Sequence, residues 1–117
     1  MAVPTDIRLH RQSRVLELTF DDGFSCKLPC EYLRVYSPSA EVRGHGPGQE
    51  VLQTGKEAVS ITDIRPVGNY AVKLVYDDGH DSGLYDWDYL YRLGQNQESY
   101  WQNYLERLAA AGVERKA

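Results

Sequence analysis

The chain has little of what several protein classes require. Its 117 residues include only two cysteines, too few for a disulfide framework, and 13 basic residues against 17 acidic ones. The formal charge of −4 provides no basic field for nucleic-acid backbones or anionic lipids. No apolar run approaches the roughly 20 residues that cross a bilayer, and the N-terminus lacks the charged and apolar regions of a secretory signal. We therefore expect a cytoplasmic protein with no nucleic-acid or membrane partner.

Alternating apolar and polar residues predict antiparallel hairpins. Residues 15–20 and 24–28 alternate on either side of Asp21-Asp22-Gly23, and the β-forming residues 70–76 precede Asp77-Asp78-Gly79. Asp-Gly between such runs is a strong hairpin signal, because glycine accepts the positive φ of a tight turn. The pattern of residues 16–23 recurs at 72–79. This indicates either an internal duplication or two hairpins that use the same residues to form the same type of turn.

Helices and one long loop complete the predicted fold. Pro29 ends a strand and a short helical turn follows at 31–36, whereas the glycine- and proline-rich segment 37–56 predicts a loop. Asp86 is a candidate N-cap for a helix over 87–93, and Asn96 for an amphipathic helix over 99–111 whose apolar stripe we expect to pack on the core. The nine tyrosines are enough for an aromatic-rich core. Together, these patterns predict a small single α+β domain of antiparallel β-hairpins with short helices and a C-terminal amphipathic helix.

Candidate chemical residues are few. Cys26 shares a strand face with apolar residues, which predicts burial, whereas Cys30 follows Pro29 and is expected to be exposed. The histidines have no recognisable metal-ligand spacing. The glycine-rich segment around His45 predicts a solvated side chain. His80 is expected either to be a turn residue bonded to local groups or to belong to a ligand site with aromatic walls. No nucleophile elbow, phosphate loop or dinucleotide fingerprint is present, so an independent enzyme is the weaker class.

An ordered set of motifs is specific enough to suggest a family. It consists of Asp22-Gly23, Leu33-Arg34 with Ser37-Pro38-Ser39-Ala40-Glu41, Val67-Gly68-Asn69-Tyr70-Ala71, and Asp78-Gly79-His80-Asp81-Ser82-Gly83-Leu84-Tyr85-Asp86-Trp87 with Leu90. This set resembles the gamma-butyrobetaine hydroxylase-like N-terminal domain, in the short stand-alone form that occurs in bacteria. The resemblance covers residues 5–95, and residues 96–117 form a C-terminal helix and tail outside it.

The resemblance implies a small α+β domain that precedes the catalytic domain of carnitine-pathway dioxygenases and holds a structural zinc. The family's zinc ligands are three cysteines and the histidine of Asp-Gly-His. Here His80 is retained, but the cysteine positions hold Ser37, Ser39 and Val42, which cannot replace three thiolates. We therefore expect no metal at the family zinc site and no cofactor. Relatives joined to P-loop iron-sulfur carriers imply a link to iron-sulfur or other metal-related metabolism.

The favoured function is a non-catalytic binding or adaptor module with a protein partner. We expect the loop 37–48 and the Asp-Gly-His turn to lie close together, since one metal joins them in zinc-bearing relatives. The candidate partner or ligand surface comprises Arg34, Ser37, Ser39, His45, Asp78, His80, Tyr85 and Trp87. One alternative is an iron- or zinc-binding protein in which His80 acts with His45, Cys26 or Cys30. The other is a small-molecule enzyme, which nothing in the sequence requires.

Overall fold

The computed structural model describes residues 2–44 and 50–116. The strands are β1 (Pro4–His10), β2 (Val15–Phe20), β3 (Ser25–Pro29), β4 (Ile61–Val67), β5 (Ala71–Tyr76) and β6 (Leu84–Asp86). The helices are α1 (Cys30–Val35), α2 (Ala40–Arg43), α3 (Trp87–Gln95) and α4 (Gln97–Ala110). No helix of this described part is long and apolar enough to cross a membrane.

Two three-stranded antiparallel sheets form the β structure of the described residues. Their strand orders are β1-β2-β3 and β4-β5-β6, so each sheet is built from neighbouring hairpins, and the α+β class is confirmed. Alternate residues of the central strands β2 and β5 point inward, because successive side chains of a strand face opposite ways. The core joins both sheets to α1 and α3, and its fully buried members include Leu16, Leu18, Leu33, Leu74, Tyr85, Leu90 and Leu93.

The two halves of the molecule repeat one another in backbone detail. Gly23 and Gly79 have φ values of 91° and 89°, and their N–H groups donate to the carbonyls of Phe20 and Tyr76. The halves also exchange equivalent bonds: Tyr32 of α1 donates its hydroxyl to the carbonyl of Leu93, and Tyr89 of α3 donates to the carbonyl of Tyr36. The repetition in the sequence therefore extends from the turns to the helices that follow them.

The C-terminal helix packs on the core. Tyr104 and Leu108 are buried with Val35 in a second small cluster, and the Tyr104 hydroxyl donates to the carbonyl of Gln53 at 2.7 Å. Asp86 caps α3 by accepting from the N–H of Tyr89 at 2.7 Å. Asn96 occupies the N-cap position of α4 but makes no side-chain cap, because its amide donates instead to the carbonyl of Arg92.

Two expectations from the sequence are wrong. Cys30 is buried and 1% exposed rather than exposed, because it begins α1 and packs in the main core. The segment 37–56 is not all loop, since Ala40–Arg43 forms the short helix α2, with the Ser39 side chain accepting from the N–H of Glu41. Cys26 is only half-buried, and burial raises the pKa of its thiol to about 11.

Candidate functional site

Residues from the segment after α1 and from the second Asp-Gly turn meet in a polar cluster, in which Ser37, Ser39 and His80 are buried and Glu41 and Ser82 are exposed. The His80 ring lies between two partners: its Nε2 is 2.8 Å from Ser37 Oγ, and its Nδ1 is 3.2 Å from Glu41 Oε2. Beside them, the hydroxyls of Ser39 and Ser82 are 2.7 Å apart. We call these five residues the Ser37–His80 cluster. It joins the segment 37–41 to the turn 80–82.

The position of the ring proton follows from the partners of His80. A carboxylate only accepts hydrogen bonds, so Nδ1–H donates to Glu41 and Nε2 accepts from the Ser37 hydroxyl. Burial and the nearby Arg34 charge lower the pKa of His80 below its ordinary value, while Glu41 and Asp78 oppose that shift. The neutral imidazole is therefore the form that fits this arrangement.

The chemistry available to the cluster is limited by access. The order of hydroxyl, imidazole and carboxylate is the order found in nucleophilic triads. However, Ser37 is 1% exposed and His80 is 5% exposed, so a substrate in solution does not reach the Ser37 hydroxyl. A methyl group on Gly83 would collide with Ser37 Oγ, which shows how closely the turn packs on the serine. The arrangement holds two segments together rather than exposing a nucleophile.

A partly buried ion pair lies beside the cluster. The Nε of Arg34 donates to Asp78 Oδ2 at 2.9 Å, its Nη1 donates to the Gln53 side chain at 2.9 Å, and Lys56 Nζ reaches the same Asp78 oxygen at 2.8 Å. Burial opposes ionisation of Asp78, but the hydrogen bonds from Lys56 and the His80 N–H and the Arg34 charge hold its pKa at about 2. Asp78 thus connects α1, the segment after α2 and the second turn.

The remaining candidate residues lie elsewhere or outside the described residues. Tyr85 is fully buried, with its hydroxyl donating to the carbonyl of Leu33 at 2.6 Å. Trp87 is half-buried and donates its indole N–H to the carbonyl of Asn69 at 2.8 Å. His45 lies outside the described residues. Of the candidate set, the structure brings together Arg34, Ser37, Ser39, Asp78 and His80, and it buries most of their polar atoms.

The donor set does not fit a family-type zinc site. Ser37 and Ser39 offer neutral hydroxyls, both already hydrogen-bonded, and Val42 is a buried apolar residue of α2. Within residues 2–44 and 50–116, no three His, Cys, Asp or Glu side chains come together as a metal site. In this protein, hydrogen bonds among the serine hydroxyls and His80 join the segment 37–41 to the turn 80–82.

Several partners of the site were not singled out from the sequence. Gln53 and Lys56 lie outside the quoted motifs, and Glu41 and Ser82 lie within them without a pattern that assigns them a role. Each reaches its partner only through the fold. Sequence reasoning also missed an open cleft of about 620 Å³ where the end of β3 and α1 face the start of α4. Its walls include Glu31, Tyr32, Gly94, Glu98, Trp101 and Arg115. We call it the α1–α4 cleft.

Comparison with known proteins identifies the family. The model of the gamma-butyrobetaine hydroxylase-like N-terminal domain matches residues 7–91. Two solution NMR structures are similar: one is 57% identical with a TM-score of 0.84 and covers 98% of this chain and 86% of its own. The other is 50% identical with a TM-score of 0.85, covering 99% of this chain and 91% of its own.

A crystal structure of a protein of unknown function from Acidithiobacillus ferrooxidans, in the DUF971 family, is also similar. It is 41% identical with a TM-score of 0.66, and the match covers 78% of this chain and 91% of that one. No match was found among curated proteins. The family model covers most of the chain, and the similar structures share the fold of this chain. The chain therefore belongs to the gamma-butyrobetaine hydroxylase-like N-terminal domain family.

Proposed function

We propose that the protein is a non-catalytic binding module that takes a peptide segment of a partner protein in the α1–α4 cleft. The observation that carries the proposal is a cleft of about 620 Å³ in which the partly exposed Trp101 ring lies beside the carboxylate of Glu31, with the buried Tyr32 behind it. Concave sites of this size, with apolar walls and a few placed polar groups, are typical of ligand binding. Aromatic residues are also enriched where partners bind.

The state of the Ser37–His80 cluster supports binding over catalysis. Every buried side-chain nitrogen and oxygen of the described residues has a hydrogen-bond partner. The imidazole and hydroxyls of the cluster are therefore committed to bonds that hold the fold, and they are not directed at an open cavity. We infer that the cluster performs the joining role that zinc performs in the resembling dioxygenases. The resemblance directs the partner search to iron-sulfur and other metal-related metabolism.

The test is selection of peptides followed by mapping of their site. A random peptide library displayed on phage is selected on the wild-type protein, and the selected peptides are titrated while amide and indole NMR signals are recorded. We expect the largest shifts at Tyr32, Gly94 and the Trp101 indole, because these groups line the cleft. Peptides that shift only signals outside the cleft, or a selection that yields no binder, would contradict the proposal.

A matched pair of variants separates the cleft from a general loss of aromatic surface. Trp101→Ala removes one wall of the cleft and should reduce peptide affinity at least tenfold, about 1.4 kcal/mol, as expected for an aromatic contact at a binding centre. Tyr70→Ala removes an aromatic residue that is 52% exposed and lies outside the cleft, so it should leave affinity unchanged. The amide spectrum of each variant reports whether its fold is retained.

A further inference from the structure

We propose that the α1–α4 cleft is an arginine site: the partner's peptide inserts a guanidinium group, and Arg115 of the C-terminal tail holds the same place until it is displaced. The inference rests on the proposed function and specifies the ligand chemistry of the same cleft. Three groups carry it: the buried carboxylate of Glu31, the Trp101 ring, and the Arg115 side chain that contacts both.

The carboxylate of Glu31 is the fixed group. Glu31 lies in the first turn of α1 and is only 6% exposed. Arg115 Nε donates to its Oε2 at 2.8 Å, and Arg115 Nη2 donates to its Oε1 at 2.5 Å. Two parallel bonds of this kind match the planar fork of a guanidinium and are not available to an ammonium group. A buried carboxylate needs such a partner, because an unpaired charge away from water is costly.

The Trp101 ring supplies the second recognition element. The Arg115 guanidinium carbon lies 5.3 Å from the centre of that ring, within the range of a cation–π contact. Tyr32, which is only 1% exposed, meets the same ring edge-on at 6.3 Å from the core side and supports its position. A carboxylate and an aromatic face together select a flat, delocalised cation, since guanidinium stacks as well as pairs.

Arg115 is the part that can leave. Helix α4 ends at Ala110, and residues 113–116 belong to no helix or strand. The side chain of Arg115 remains 35% exposed although its partner is buried. Glu98, which also lines the cleft, adds a second negative charge at its edge. An arginine from another chain would therefore meet the same acidic and aromatic groups once the tail moves aside.

The experiment titrates two matched probes, acetyl-Gly-Arg-Gly-amide and acetyl-Gly-Lys-Gly-amide, into three proteins while the Trp101 indole signal is followed by NMR. The proteins are the wild type, Arg115→Ala, and Arg107→Ala as a control that removes an arginine of α4 outside the cleft. We expect Arg115→Ala to bind the arginine probe about tenfold more tightly than the wild type, as for a site that its own tail closes most of the time. Arg107→Ala should match the wild type, and the lysine probe should bind more weakly throughout.

The possible outcomes separate the inference from the function on which it rests. If library-selected peptides bind the cleft but show no arginine preference, and Arg115→Ala does not change their affinity, the arginine site is refuted and the binding module stands. If no peptide shifts the cleft signals in any protein, both are refuted. A wild-type dimer that Arg115→Ala dissociates, seen by native mass spectrometry, would assign the cleft to the tail of a second copy. In a folded Glu31→Gln protein, unchanged arginine binding would also refute the site.

Discussion

The two Asp-Asp-Gly turns of this protein have the same backbone and different surroundings. In the first, the N–H of Phe24 donates to Asp22 Oδ1 at 2.9 Å, and in the second the N–H of His80 donates to Asp78 Oδ1 at 3.1 Å. The residue after each glycine then differs. Phe24 packs against aromatic rings, with its centre 4.9 Å from that of Tyr91, whereas His80 is hydrogen-bonded on both ring nitrogens.

The second oxygen of each turn aspartate extends the contrast. Asp22 Oδ2 accepts from the Tyr91 hydroxyl at 2.6 Å on an exposed surface, but Asp78 Oδ2 accepts from Arg34 and Lys56 in a partly buried one. One backbone turn therefore supports either an apolar contact or a network of charges. The difference shows that the turn sequence determines the hairpin, and the side chains packed against it determine its chemistry.

The largest expected effect comes from removing the buried cation. Arg34→Met leaves Lys56 as the only cation bonded to Asp78 and leaves the Gln53 side-chain oxygen without its donor. We expect a loss of about 2 to 3 kcal/mol in the free energy of unfolding, measured by urea denaturation. This is less than for a fully buried ion pair, because Asp78 is partly exposed and keeps Lys56. Tyr91→Phe, the matched change at the first turn, should cost much less, because its bond to Asp22 is exposed. Equal losses would refute the contrast between the two turns.

A second prediction converts the second turn toward the first. His80→Phe removes both hydrogen bonds of the imidazole and leaves the buried Ser37 hydroxyl without its acceptor. We therefore expect the free energy of unfolding, measured by urea denaturation, to fall by about 2 kcal/mol. Ser37→Ala should then cost less in the His80→Phe protein than in the wild type, because the two side chains share one bond. Additive losses would show that the bond contributes nothing.

The pH dependence should differ between the halves. Because the folded-state pKa of His80 is lowered, the unfolded chain binds a proton first as the pH falls. The stability that the neutral His80 contributes is therefore present above the ordinary histidine pKa of about 6.5. It is lost as the pH falls from there toward the lower pKa of the folded state. We expect the free energy of unfolding to decrease over this window in the wild type. The His80→Phe protein should lack that component, and an identical profile would contradict the prediction.

The smallest expected effect is that of zinc. Neither turn offers a thiolate, and the serine hydroxyls beside His80 are hydrogen-bonded to protein groups. We expect native mass spectra of the wild type, recorded before and after addition of zinc or ferrous iron, to show no stoichiometric metal. A metal that survives dilution from the wild type, and is lost from His80→Ala, would favour the metal-binding alternative instead.

Much of the fold could be predicted from short-range patterns. The alternation around Asp21-Asp22-Gly23 and Asp77-Asp78-Gly79 predicts the hairpins, and Asp86 predicts the start of α3, because these signals act between residues close in the chain. Cys30 was misassigned because exposure depends on how α1 packs, which local sequence does not encode. The four-residue α2 was missed because so short a helix leaves no periodic pattern.

By itself, the sequence determined the strand periodicity, both turns and the repetition of one hairpin in the other. These follow from backbone preferences that each residue carries wherever it lies. Only the tertiary structure decided that His80 meets Ser37 and Glu41, and that Arg115 reaches Glu31 from the other end of the chain. Such pairs depend on distances across the core, and a carboxylate in a linear sequence gives no sign of which cation it will meet.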